Sequence, residues 1–174
     1  NIFEYTWTKV IYDEYYKIDS LVQKILDNEV IIDELENKNL IIEFLIWTLE
    51  TTIRELRDQI TLILLDFFTK YPKLIFEKVL DFSTTNKVYI YERLISICYG
   101  ICLRKQNDEN FLNKILKENI LSIYNLQFGV EPKNPTYNYI VIDSIKHITD
   151  LAIYKGIFQV HENEIDDFNN YRFN

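Results

Sequence analysis

The chain has 174 residues, 48% of them hydrophobic, which is enough apolar material for one domain of ordinary size. Its formal charge of -8, with 19 Lys and Arg scattered among 27 Asp and Glu, excludes phosphate-backbone binding as a main task, because that needs clustered cations to release counterions. No apolar run reaches the roughly 20 residues of a membrane span, the longest candidate, 60–68, being broken by Thr61 and Asp66.

No N-terminal signal sequence is visible. The two cysteines, Cys98 and Cys102, sit four apart on one predicted helix, on the same face but a turn from each other, which is poor geometry for a disulfide. They read as buried thiols of a reducing compartment, so a soluble cytoplasmic protein is expected. The sequence holds no methionine, even at position 1, and is expected to be a segment of a longer polypeptide. Its Asn, Ile, Lys and Tyr bias suits an AT-rich bacterial genome.

Three glycines and three prolines leave little punctuation, so most of the chain is expected to be regular structure with short connections. Asp19-Ser20 is placed to cap a helix over 21–27, and Asn39 to cap one carrying Ile42, Leu45, Ile46 and Leu49 along one stripe. Thr51 or Thr52 opens the next, where Ile53, Leu56, Ile60, Ile63, Leu64 and Phe67 keep three-four spacing up to Tyr71. Pro72 ends that helix and starts another over 72–80, since proline fits a first turn but not an interior. A polar turn is expected over 81–87.

A long helix is predicted over 88–105. Asp108, followed by Phe111, Ile115, Leu116, Ile120 and Ile123, starts one that stops near Gly129. The Gly-Val-Glu-Pro-Lys-Asn-Pro run at 129–135 cannot support a helix and is the clearest loop; Thr136 is placed to cap a last helix ending at Gly156. No window alternates like a strand. With Ala152 the single alanine, helices are expected at the wide end of the usual 8 to 10 Å separation, except where Gly100 permits closer contact. The domain is expected to cover 1–158, with a polar tail over 159–174 that includes the acidic stretch 161–167.

One helical phrase recurs: Leu56-Arg57-Asp58 within 54–71, Tyr91-Glu92-Arg93-Leu94 within 88–105, and Ile142-Asp143 within 137–156. Each sets polar residues near the start of an apolar helix preceded by another helix, the signature of an α-solenoid of stacked helix pairs. The expected fold is therefore all-α, a solenoid of about seven or eight helices.

These phrases, with Tyr89-Ile90 ahead of the second, Tyr99-Gly100 after it, and Asn138-Tyr139 ahead of the third, resemble the HEAT-like repeat region of bacterial antiviral STAND NTPases of the AVAST type. The resemblance covers about 39–156. It departs from the family at Ile142, where the family has arginine, and at His147, where it often has glycine. It implies HEAT-like helix pairs downstream of a nucleotide-binding module, recognition of a protein ligand such as a phage packaging or portal component, and relay of that binding to nucleotide-dependent oligomerisation elsewhere in the parent. The segment itself lacks Gly-x-x-x-x-Gly-Lys-Ser/Thr, with Gly100 in a predicted helix, and is not expected to bind ATP. A general interaction scaffold unrelated to nucleotide switching is the competing reading, because one architecture hosts many functions.

Stacked repeats bring equivalent helix positions together, so Asp58 is placed to meet Arg93, and Arg93 to reach toward Asp143, with Arg57 and Glu92 flanking. Such a ladder of inter-repeat charges fixes register; an exposed pair contributes only about 0 to 1 kcal/mol, and a buried one costs more when one member is removed. Asp143, His147 and Asp150 share a helix face at acid-base or ligand spacing, yet a metal would need further ligands, and a histidine bonded to neighbouring carboxylates is the plainer account. An enzyme centred on Asp143 and His147 ranks last. The serines show no strand-turn-helix elbow. No catalytic residue, cofactor site or metal site is therefore expected. Aromatic residues make up 15% of the chain and serve both core and partner surface. Trp47, Phe67 and Phe68 read as core. Tyr89 and Tyr91 are two apart and point in different directions, so at least one is near the surface, and Tyr137 and Tyr139 form a similar pair beside the loop. These four are the expected protein contacts.

Overall fold

A computed structural model of the chain describes residues 2–160 apart from 130 and 134, with side chains described from residue 6 onward. Among the described residues there are eight helices and no strand: α1 (Ile2–Asp13), α2 (Tyr15–Leu26), α3 (Lys38–Thr48), α4 (Arg54–Lys70), α5 (Pro72–Ser83), α6 (Val88–Arg104), α7 (109–124) and α8 (Tyr139–Tyr154). A single 3₁₀ turn, Ile32–Glu34, lies between α2 and α3. The α7 helix is continuous but changes pitch, with a π-helical stretch at Leu112–Leu116 between Glu109–Phe111 and Lys117–Tyr124. The expected all-α class holds. The chain is described in two compact units, 1–67 and 68–174. Most of the expected tail, from 161 on with its acidic stretch, lies outside the described residues.

In the first unit, the helix expected from 21 begins at Tyr15, so Asp19 and Ser20 are interior residues instead of caps. Burial decides this. Ile18 and Val22, four apart, share the buried face and carry the helix through two residues whose local preference is for an N-terminus. The helix closes at Asn28, which adopts φ 59°, the left-handed conformation that asparagine tolerates better than most side chains. Asn39, expected to cap α3, lies inside its first turn, and Asn37 takes the cap position without a side-chain bond. Thr51 does open α4, its hydroxyl accepting from the Ile53 amide at 3.2 Å. The predicted stripe is buried at Leu56, Ile60, Ile63, Leu64 and Phe67, while its first member, Ile53, ahead of the helix, is half-buried.

In the second unit, Pro72 stands at the first turn of α5 as expected. That helix runs to Ser83, one turn past its expected end, because Phe82 is drawn into the core and the hydroxyls of Ser83, Thr84 and Thr85 bond back to the carbonyls of Leu80, Asp81 and Phe82. The buried residues of α6 form two adjacent stripes, Ile90, Leu94, Ile97, Ile101 and Tyr91, Ile95, Cys98, Cys102. One partner buries one stripe. Two stripes require two neighbours, and α6 packs against both α5 and α8. The α7 helix in turn packs on α8 and α5. Cys98 and Cys102 are free thiols in this core, and burial pushes the Cys98 thiol well above its usual range.

The α6–α8 pairing is parallel. Glu92, in the second turn of α6, meets Asn138 at the start of α8, and Tyr99, further along α6, stacks its ring 5.3 Å from that of His147, further along α8. The two helices therefore start and run together. A short connection folds α5 back on α6, so α5/α6 and α7/α8 are two helical hairpins laid one on the other, like helix beside like helix. This is how a repeat buries the face it cannot bury alone, and it is compatible with a helical solenoid.

Asp108 caps α7 as expected, accepting from the Phe111 amide at 3.0 Å. That bond first, and Lys105 at 3.5 Å second, hold its carboxyl below the ordinary carboxylate value. Because the folded value is the lower one, the stability this charge contributes is present above the unfolded value and is lost as pH falls through the folded one. Asparagine caps nearly as well but carries no charge. Asp108→Asn is thus expected to lower the thermal midpoint at neutral pH, with the gap to wild type closing below about pH 4; a gap that persists into acid would assign the effect to something other than the charge.

Candidate functional site

Asn138 organises the most chemically distinctive surface of the second unit. Its side-chain oxygen accepts from the amides of Ile140 at 3.0 Å and Val141 at 3.4 Å, capping α8, while its Nδ2 donates to Glu92 Oε2 at 2.9 Å. Thr136, the expected cap, stands two residues early: its hydroxyl accepts from the Asn138 amide, and its own amide is held by the Gln127 side chain at 2.9 Å. The chain thus arrives at α8 along a segment fixed to the end of α7. The first turns of α6 and α8 lie side by side.

Three tyrosines belong to this arrangement. Tyr89 lies one turn before Glu92, and Tyr137 and Tyr139 flank Asn138. All three are exposed, Tyr137 fully, together with Val88 and Ile140. The expectation for Tyr91 is corrected. It is only 6% exposed, its hydroxyl is buried with no hydrogen-bond partner among the described residues, and burial pushes its pKa to about 12. One face of α6 looks out and the other inward, and Tyr91 falls on the inward side. Tyr91→Phe is therefore expected to leave binding untouched and to raise stability by up to about 1 kcal/mol by removing an unsatisfied buried hydroxyl, measured by urea unfolding; a loss of more than about 1 kcal/mol would mean that the hydroxyl has a partner.

Of the residues expected to form a charge ladder, Glu92 does link neighbouring hairpins, through Asn138 instead of an arginine. Asp58 pairs with Arg54 on its own helix at 3.6 Å, both well exposed, a pair of the kind that contributes little. Arg57 and Arg93 are half-buried, and Asp58 and Arg93 belong to different units. Asp143 pairs with His147 on α8: His147 Nδ1 lies 2.8 Å from the Asp143 carbonyl oxygen and 3.4 Å from its carboxylate. Both are acceptors, so that nitrogen carries the proton. Asp150 pairs with Lys146 at 3.8 Å. The three residues that share a helix face thus form two local pairs, and among the described residues no cluster of three His, Cys, Asp or Glu is placed to hold a metal.

Sequence reasoning missed α1 and with it Trp7, and placed Trp47 in the core. Both line an open groove of the first unit. Trp7 lies in a stretch whose apolar and polar residues show no clear three-four stripe in the sequence, which hides the helix.

The fold and these surfaces define an all-α protein of helical hairpins with an aromatic edge. No helix among the described residues is long and apolar enough to cross a membrane. No protein-family model, no curated protein and no solved structure matches the chain.

Proposed function

We propose that this chain is a protein-binding helical-repeat segment whose contact edge is Tyr89, Tyr137 and Tyr139, and that it serves as the sensor or scaffold region of an antiviral STAND NTPase in the bacterial cytoplasm. The observation that carries the binding role is the alignment of α6 with α8, which turns tyrosines nearly fifty residues apart in sequence into one exposed edge. Large, amphipathic and low in conformational freedom, tyrosine is among the residues that dominate protein interfaces. The narrower, antiviral reading is supported by the recurring phrases at Leu56-Arg57-Asp58, Tyr91-Glu92-Arg93-Leu94 and Asn138-Tyr139, and by hairpin stacking of the kind such repeats use.

In this role the segment acts by binding, with no catalytic step of its own. A phage protein that contacts the edge better in one arrangement of the parent than in another shifts the population toward that arrangement. The test is co-expression of the chain with a panel of phage packaging and portal proteins, followed by co-purification. Wild type is expected to retain one of them, and the Tyr137→Ala/Tyr139→Ala variant to lose it at least roughly tenfold with helix content unchanged. Failure to retain any phage protein ends the sensing role. An upstream reading frame without a Gly-x-x-x-x-Gly-Lys-Ser/Thr loop reduces the proposal to a general adaptor.

A further inference from the structure

Cys98 and Cys102 are the only cysteines of the chain, and the core closes over both: each is 0% exposed on the inward stripe of α6. Four apart on one helix, they set their Cβ atoms about 5–6 Å apart on the same face. A disulfide needs about 3.5–4.5 Å there, so the pair is too wide to oxidise to one without bending α6. The thiols nonetheless act on each other: after burial, it is Cys102 that holds the proton on Cys98. Two sulfurs that meet but cannot bond are spaced for one atom between them. With a metal–thiolate bond of about 2.3 Å, a linear bridge through a metal spans about 4.6 Å between the sulfurs, which this Cβ separation accommodates.

The surroundings decide which ion suits. Among the described residues no group of three His, Cys, Asp or Glu is placed to hold a metal, so an ion that demands four protein ligands, as zinc does in structural sites, is not served. The stripes around the thiols are apolar, with Leu94, Ile95 and Ile101 fully buried, and the buried cation Lys87 stands at the far end of α6. An unpaired charge in such a place is costly, so the filled site must be neutral. Two thiolates neutralise a divalent ion but leave a monovalent one with an excess negative charge. Thiolate is also the ligand that soft ions select. We propose that Cys98 and Cys102 form a two-coordinate site for a soft divalent metal ion, of which mercuric ion is the type. Binding exchanges two S–H bonds for two S–Hg bonds; the two chlorides of mercuric chloride leave with the two thiol protons, and no electron is transferred. Both thiols are closed off from solvent, so uptake waits on local opening and is slow. The site does not depend on the tyrosine edge as a binding surface.

The experiment adds one equivalent of mercuric chloride to the full, reduced chain and reads intact mass, competition by glutathione and urea unfolding. The adduct should carry one mercury with two protons lost, leaving no free thiol. Stripping it should take at least roughly a hundredfold more glutathione than stripping Cys98→Ala or Cys102→Ala, because the second sulfur acts at high effective concentration. The midpoint of urea unfolding should rise on binding, since the bridge spans one turn of α6 in its folded form. Mass and midpoint are read on the wild-type chain and stand whether or not the variants fold. The proposal is overturned if the wild-type adduct keeps one thiol free, if glutathione strips it as easily as it strips the single-cysteine variants, or if mercury lowers the unfolding midpoint, because the ion would then favour the unfolded chain.

Discussion

Phe76→Ala is expected to cost about 3–5 kcal/mol, the largest single loss in the second unit. Phe76 is fully buried on α5, and its ring lies 6.4 Å from that of Phe111 at the start of α7, so it joins one helical hairpin to the next. Truncation removes both the transfer free energy of the ring and its contacts across that junction, and helices on either side are held by their other partners and cannot collapse into the space. Against a total stability of about 5–15 kcal/mol, the variant should unfold at markedly lower urea. Far-ultraviolet circular dichroism through a urea titration reads this. Leu121→Ala, on the exposed side of α7, is the control and should change stability by no more than about 0.5 kcal/mol. A Phe76→Ala loss below about 1 kcal/mol would mean that the two hairpins do not rely on this contact.

Asn138→Ala is expected to cost about 2.5–4 kcal/mol, from two separable causes. Loss of the cap on α8 accounts for about 1 kcal/mol, and loss of the hydrogen bond to the Glu92 carboxylate for about 1.5–3 kcal/mol. Asn138→Ser separates them, since a serine hydroxyl still caps the helix but has no amide to offer Glu92. The double-mutant cycle with Glu92→Ala should give a coupling of about 0.5–3 kcal/mol. Effects that simply add would show that capping alone explains the position. The same substitution tests the proposed binding edge. If Asn138 aligns the first turns of α6 and α8, Asn138→Ala should weaken partner binding although its side chain is not part of the tyrosine surface.

Where the sequence carried a strong local signal, the helices were legible to within a turn. Pro72 and Asp108 each impose a conformation through covalent structure or side-chain bonding, and the boundaries fall where those residues put them, whereas the helix expected to stop near Gly129 ends at Tyr124, five residues earlier. Asp19, Ser20, Asn39 and Thr136 have capping chemistry too, yet none caps its helix. In the first pair the buried face of Ile18 and Val22 overrode local preference, and at Thr136 competing bonds to Gln127 and Asn138 took its polar groups. A cap residue is a local offer that packing accepts or declines.

The candidate site was legible only in pieces. Tyr89, Tyr137 and Tyr139 were identifiable as loop-proximal aromatics of helices, but Tyr91 was not separable from Tyr89, because two positions two residues apart on a helix differ only in direction. Which of them looks inward depends on where α5 and α8 lie. Glu92 was marked as an inter-repeat charge, and its partner turned out to be the amide of Asn138.

By itself the sequence determined the all-α class, the run of helices from α3 onward and the stripes that become core, since these follow from apolar spacing and turn chemistry within a few residues. Tertiary structure decided what lies far apart in the chain: the parallel start of α6 and α8, the burial of Tyr91, the alignment of the tyrosine edge, and the meeting of Trp7 with Phe44 and Trp47. Periodicity gives each helix a face but no neighbour. The neighbour is selected by packing of whole faces against one another, a property of helix pairs that no single segment contains.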